Sequence, residues 1–168
     1  MNEDLVAAIN AQVGREFGAE MEYLQIAAYF DDQALPELSG FFRDQADEER
    51  AHALKFVDYL MDAGGHVAIP ALAAPRNTFE SAEEAVQLSL DWELSVTQFI
   101  NDLMDLAIEK RDHAAQQMLQ WFVAEQVEEV STMSELLSVV RRAGAQNLLL
   151  VEDYVSRTAV NRAGPTAV

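Results

Sequence analysis

Phe41-Phe42-Arg43-Asp44-Gln45-Ala46-Asp47-Glu48-Glu49-Arg50-Ala51-His52-Ala53-Leu54-Lys55-Phe56-Val57-Asp58-Tyr59 is the stretch on which the reading of this chain turns. Stepping by three and four residues selects Phe42, Gln45, Glu49, His52, Phe56 and Tyr59, one face of an α-helix. That face is apolar at its ends and carries a carboxylate and an imidazole at its middle. Taken alone, Glu49 and His52 read as a solvated pair. An ionised carboxylate on a core-facing stripe is different: its burial costs several kcal/mol unless it is paired or coordinates a metal.

The other long segments repeat the pattern. Proline and glycine cluster at Pro36, Gly64-Gly65, Pro70, Pro75, Gly144 and Gly164-Pro165, and helical periodicity fills the gaps between them. Helix α1 is predicted over 3–32 and α2 over 36–63, with Pro36 at a first-turn position and Gly64-Gly65 as the stop. The proline-rich run 65–78 is read as non-helical. Ser81-Ala82-Glu83-Glu84 reads as a capping box that opens α3, expected to run to about 110. Asp112 caps α4, expected to end at 143 before Gly144, and a short apolar α5 spans about 147–157. A loose tail is expected over 158–168.

The inward stripe of α1 is Ile9, Val13, Glu16, Glu20, Tyr23, Ala27 and Phe30. That of α3 includes Val86, Glu93, Ile100 and Ala107, and that of α4 is Phe122, Gln126, Glu129, Met133 and Leu136. Every long helix therefore carries a glutamate near its middle in an otherwise apolar face. Four such groups at one height repel one another unless cations lie between them. The nearby bases, Arg15 and Arg50, each sit one residue from a key glutamate and so point about 100° away from it. Bridging carboxylates with an imidazole and an amide suit iron or manganese.

Helices of about 28 residues are roughly 42 Å long. The α1–α2 and α3–α4 turns are short, so each pair forms an antiparallel hairpin. The α2–α3 connection is long enough to run the length of a bundle. The expected fold is all-α: an antiparallel four-helix bundle with one long crossover between α2 and α3, plus a short C-terminal fifth helix. The whole chain, 1–168, is read as one domain, with the bundle over about 3–143. Because α5 is nearly all apolar, it is expected to be buried against other copies of the chain.

Composition excludes several classes. The 168 residues carry 11 basic and 29 acidic groups, a formal net charge of −18, with no cysteine. No basic patch is available for a nucleic-acid backbone, and no thiolate metal site or disulfide can form. The acidic field suits attraction of cations, although acidity alone describes many soluble surfaces. Met1-Asn2-Glu3-Asp4 does not resemble a secretory leader, and no apolar run is long enough for a membrane span. A cytoplasmic location is expected.

Single glutamates on two helices plus Glu-x-x-His on each of the other two is a general ligand pattern of di-iron carboxylate bundles, and this chain resembles it. Glu16 and Glu93 take the single positions. Glu49-Arg50-Ala51-His52 is an intact Glu-x-x-His, and the second copy is altered to Gln126-Val127-Glu128-Glu129. Glu48, Glu125 and Glu128 flank the site. Each alone reads as a solvated group, while as a trio they are candidates for an outer cation station. Tyr23 and Trp121 are most simply packing residues, with a redox role open to them. Glu20 has no assigned role, and His66 and His113 are read as exposed.

Over nearly its whole length the chain resembles the non-haem bacterial ferritins. The resemblance is carried by Gly14-Arg15-Glu16-Phe17, Glu48-Glu49-Arg50-Ala51-His52, Asp91-Trp92-Glu93 and Leu119-Gln120-Trp121-Phe122-Val123-Ala124-Glu125-Gln126-Val127-Glu128-Glu129. It implies a homo-oligomeric hollow shell of 24 subunits that stores a hydrated ferric mineral, with α5 lining the four-fold axes. It implies a first iron on Glu16, Glu49 and His52, and a second on Glu93, Glu129 and the shared Glu49, with Gln126 beside them. Glu48, Glu125 and Glu128 match a third iron site, and Tyr23 matches a tyrosine near the centre. Haem-containing bacterioferritins place a methionine where Arg50 stands and keep the second Glu-x-x-His, so no haem is expected, and a haem-free bacterioferritin-like protein is an alternative.

The implied activity is that of a ferroxidase, an oxidoreductase that oxidises Fe2+ with dioxygen or peroxide and passes Fe3+ to a mineral core. A looser second site, with amide and carboxylate in place of carboxylate and imidazole, favours a centre through which iron passes. Competing readings are a di-iron oxidase or peroxidase that stores nothing, a structural cage with a decayed site, and a miniature ferritin that coats DNA. The complete ligand set within one chain and the acidic termini disfavour the last two.

Overall fold

The computed structural model describes residues 1–162, and its elements follow from local signals that can be traced one by one. Helix α1 runs over Glu3–Asp32, opened by the Asn2 side chain, which accepts the backbone N–H groups of Asp4 and Leu5. Helix α2 is Pro36–Asp62, α3 is Ala82–Glu109, α4 is His113–Ala143 and α5 is Leu148–Arg162. Ser81 and Asp112 cap α3 and α4 through the amides of Glu84 and Ala115. The expected capping box at Ser81 is only half formed. The Glu84 carboxylate accepts the N–H of Glu80 and pairs with Arg76 instead of returning to Ser81.

Three of the helices stop in the same way. Past each end a residue turns left-handed, and the next N–H reaches back to a carbonyl five positions earlier: Leu35 to Phe30, Gly65 to Leu60 and Asp112 to Ala107. Glycine supplies the left-handed residue only at Gly64; the other two are Ala34 and Arg111, with φ of 57° and 55°. Each costs about 1–2 kcal/mol relative to glycine-like freedom. Both tight hairpin turns of the bundle are therefore made by non-glycine residues, which is why their geometry left no glycine mark in the sequence.

Contacts run antiparallel between α1 and α3, with Arg15 on Phe99 and Tyr23 on Glu93. They do so between α2 and α4 as well, with Phe56 stacked on Phe122 at 4.0 Å. The order is up-down-down-up, as expected from the loop lengths. The crossover from 63 to 81 climbs along α1. Asn10 holds the carbonyl of His66 and the amide of Ala68, Glu22 accepts the amide of Arg76, and Phe79 packs on Tyr29. Between these points Pro70 lies so close to Gly14 that a Cβ there would sit 2.3 Å from its Cγ, so the crossover requires glycine at this position.

The core is split in two. One apolar cluster, with Phe30, Phe42, Met133 and Leu136, fills one end of the bundle, and a second, with Ile9, Phe56, Ile100 and Phe122, fills the other. The central polar residues lie between these clusters.

Helix α5 departs from expectation in length and packing. It continues to Arg162, so the predicted loose tail is helical over 158–162; positions 163–168 lie outside the described residues. It also has more to pack on than its composition suggested. Val151 and Val155 join the first apolar cluster, while Leu149 and Leu150 stay 75% and 65% exposed. Glu152 reaches across to α2, whose own N-cap, Leu35, offers no side-chain acceptor, and takes the N–H groups of Glu37 and Leu38, both at 2.8 Å.

Candidate metal centre

The four long helices bring their central polar residues into one layer. Glu16, Glu49, His52, Glu93, Gln126 and Glu129 are each at most 5% exposed, which is rare for glutamate without a compensating partner. Glu20, on the same predicted stripe of α1, is only partly buried, and Ala19 takes the inward place beside it. The rest of that stripe, from Ile9 and Val13 to Tyr23, Ala27 and Phe30, is buried as expected, so Glu20 departs from it locally.

Ligand atoms of Glu16, Glu49 and His52 lie within 4.8 Å of one another, and so do those of His52, Glu125 and Glu129. His52 Nδ1 stands 3.7 Å from Glu49 Oε2, too far for a hydrogen bond. The imidazole is flanked edge-on by Trp121 and Phe122, with ring centroids 5.5 and 5.8 Å away. On the other side, Glu93 is already held. The Tyr23 hydroxyl donates to its Oε1, and Gln126 Nε2 donates to its Oε2 at 3.1 Å and to its carbonyl at 3.2 Å. Gln126 thus directs its N–H groups at Glu93. His66 and His113 are exposed and remote, as read from the sequence.

Electrostatics mark the layer as incomplete by itself. Burial, followed by the Glu49 charge, pushes the Glu16 carboxyl well above its ordinary value. Burial, then Glu93, does the same to Glu49. Glu93 is also raised by burial, with Tyr23 and Gln126 pulling it partly back. Tyr23 is driven up by burial and by Glu93. Glu16 Oε2 is buried with no N–H donor on it, and the carboxyl faces that of Glu49. A set of hard oxygen donors with one imidazole, crowded and under-satisfied, is what a hard to borderline cation such as iron relieves.

Glu48, Glu125 and Glu128 line one open depression with Gln45, Glu129 and Thr132. Glu48 and Glu128 are exposed and Glu125 is partly buried. Because Glu129 belongs to both the depression and the buried layer, the acidic surface leads directly to the centre. Neither Arg15 nor Arg50 forms an ion pair with the layer: Arg15 lies over the Phe99 ring and feels the Glu16 charge without contact, and Arg50 is exposed. Sequence reading missed Gln12, fully buried with its Nε2 2.8 Å from Glu16 Oε1. It also missed Thr97, whose hydroxyl lies 3.4 Å from Gln126 Nε2. The available signal for Gln12 was a glutamine one helical turn from a predicted ligand.

A four-helix bundle with a crossover and one buried glutamate from each long helix defines a class, the carboxylate-lined helical bundles. The profile of the ferritin-like domain matches residues 6–143. The chain is 42% identical to Ferritin BfrB of Mycolicibacterium smegmatis over 162 residues, covering 96% of this chain and 89% of that protein. It is 35% identical to a bacterial non-heme ferritin of Staphylococcus epidermidis over 163 residues, 96% and 98% of the two chains. An open pore ferritin of Archaeoglobus fulgidus superposes with a TM-score of 0.90 at 33% identity, covering 93% of this chain and 96% of that one. The chain belongs to the ferritin-like family and is a bacterial-type ferritin-like protein. Among the described residues, no helix is long and apolar enough to cross a membrane.

Proposed function

We propose that this protein is an iron-storage ferritin: a cytoplasmic chain acting as a single domain, assembled into a hollow shell of 24 copies, that oxidises Fe2+ and holds the ferric product as mineral. The observation that carries the reading is the layer of four buried glutamates, one per long helix, with no N–H donor on Glu16 Oε2. The family match and the names of the relatives support storage as the outcome.

In this reading Fe2+ is the substrate. The net charge of −18 draws it to the depression formed by Glu48, Glu125 and Glu128, which act as an outer iron station. One ion is taken by Glu16, Glu49 and His52, and a second by Glu93, Glu129 and the shared Glu49, with the Gln126 carbonyl beside them. Anionic oxygen ligands favour Fe3+ over Fe2+ and so lower the potential of the pair. Each Fe2+ gives one electron to dioxygen, which is thereby reduced to the peroxide level; peroxide is a second candidate oxidant. We assign to Tyr23 the supply of a further electron to the oxidant, its phenolic proton passing to Glu93, to which its hydroxyl donates. Fe3+ then leaves for the shell interior. The reading assigns no haem and no nucleic-acid partner.

A second reading, a di-iron oxidase that stores nothing, gains from the packing of Val151 and Val155 within the chain, because α5 then has a use in a lone bundle. The deciding experiment adds Fe2+ in air, far beyond two ions per chain, to metal-free protein and then separates by size. Storage requires ferric-oxide absorbance to co-elute with a large discrete assembly, and Glu49→Ala to slow its appearance. Iron that stops near two ions per chain on a small oligomer, with the excess precipitating, establishes the oxidase instead.

A further inference from the structure

Gln12 is fully buried one turn before Glu16 on α1, and both ends of its amide are engaged. Its Nε2 donates to Glu16 Oε1 at 2.8 Å, and its Oε1 accepts from Arg15 Nη1 at 3.0 Å. An amide has one donor end and one acceptor end, whereas a guanidinium can only donate. With Arg15 on the carbonyl, only the NH2 end can face Glu16. Arg15 is itself fixed, since its guanidinium carbon lies 3.7 Å from the centroid of the Phe99 ring on α3. The chain of contacts thus runs from a ring on α3, through Arg15 and Gln12, to one oxygen of a buried carboxylate. The other oxygen, Oε2, is buried with no N–H group on it, in a carboxyl that otherwise meets only the carboxyl of Glu49.

We propose that Gln12, oriented by Arg15, is a positioning residue for the first cation: it ties back Oε1 of Glu16 and leaves Oε2 as the oxygen the ion receives. The inference rests on the metal-binding reading of Glu16, Glu49 and His52 given above. A flipped amide would set two oxygens against each other, so the arginine selects the orientation that keeps Glu16 as a one-oxygen ligand. Partners of this kind, behind the ligands themselves, typically change metal affinity by about 10–100-fold.

The test is anaerobic titration of metal-free protein with Co2+, followed by visible absorption, on the wild type, Gln12→Met, Arg15→Met and the double variant. Gln12→Met should weaken the first binding event about tenfold or more, because Glu16 is no longer held in place before the ion arrives, and change its absorption band, because Glu16 is freed to use both oxygens. The second event, at Glu93 and Glu129, should keep its affinity. Arg15→Met should lose less, and the double variant should be no worse than Gln12→Met alone, since both act through one contact chain. Should Gln12→Met not fold, Arg15→Met, which releases the amide from the arginine that orients it, must show the same selective loss in smaller degree. Wild-type affinity and spectrum in Gln12→Met overturn the proposal. So does equal weakening of both events, or additivity of the two substitutions. A wild-type protein that binds no Co2+ overturns the metal-centre reading itself, and the role of Gln12 with it.

Discussion

Glu49 feels the charges of Glu93, Glu129 and Glu48 from inside a layer closed on both sides by apolar clusters. Without a cation, a proton is the available relief. Replacing a buried charge by a neutral group of the same shape is often neutral or stabilising by about 1–4 kcal/mol. Glu49→Gln should therefore raise the Tm of the metal-free protein while abolishing rapid Fe2+ oxidation; a lower Tm would show that the carboxylate is satisfied without metal. The pH dependence has a definite sign. The raised carboxyls of Glu16, Glu49 and Glu93 hold protons to higher pH when folded than the ordinary value of 4.5 allows. Over the window from 4.5 upward the folded state binds more protons, so their contribution is present below that value and lost as pH rises through the folded values. Metal-free protein should melt higher near pH 5.5 than near pH 8, and divalent cation should reverse the order. The inward facing of Glu16, Glu49, His52, Glu93, Gln126 and Glu129 was legible because each interrupts an apolar stripe. Gln12 was not, since its role depends on an arginine stacked on another helix.

At the level of elements, the four long helices were legible nearly to the residue, because Pro36, Ser81, Asp112 and Gly64 are local signals that tertiary structure left in force. The end of α5 and its division into two faces were not. Val151 and Val155 look like Leu149 and Leu150 in composition, and only the end of the bundle separates them. The capping of α2 by Glu152, from 115 positions away, has no local signature at all. Loss of a side-chain N-cap costs roughly 0.5–2 kcal/mol. Glu152→Ala should lower stability by about that amount, and hydrogen exchange should show faster opening at Glu37 and Leu38 in particular. Unchanged exchange there would mean that α2 caps itself with water.

For the whole molecule, assembly can be separated from folding because α5 keeps its two faces apart. Removing the helix would strip Val151, Val155 and Glu152 from the bundle and confuse the two effects. Leu149→Gln with Leu150→Gln alters only exposed side chains. The double variant should keep its helical content and Tm as a subunit and elute as a smaller species, if α5 meets other copies through this face. Elution at the parental size would move the assembly contact elsewhere.

The crossover is pinned to α1 at Asn10, Gly14, Glu22 and Tyr29, but 71–74, between Pro70 and Arg76, are exposed. A chain cut there would yield two pieces, each one complete hairpin. Glu16, Glu49 and His52 would travel with the first piece, and Glu93, Gln126 and Glu129 with the second. Co-expressed halves should reconstitute the bundle, with Glu22 and Tyr29 of the first piece as ready anchors for Arg76 and Phe79 of the second. Neither half alone would bring Glu49 together with Glu93 and Glu129. Oxidation of iron would then report complementation itself, a signal that switches on only when two separately made polypeptides find each other.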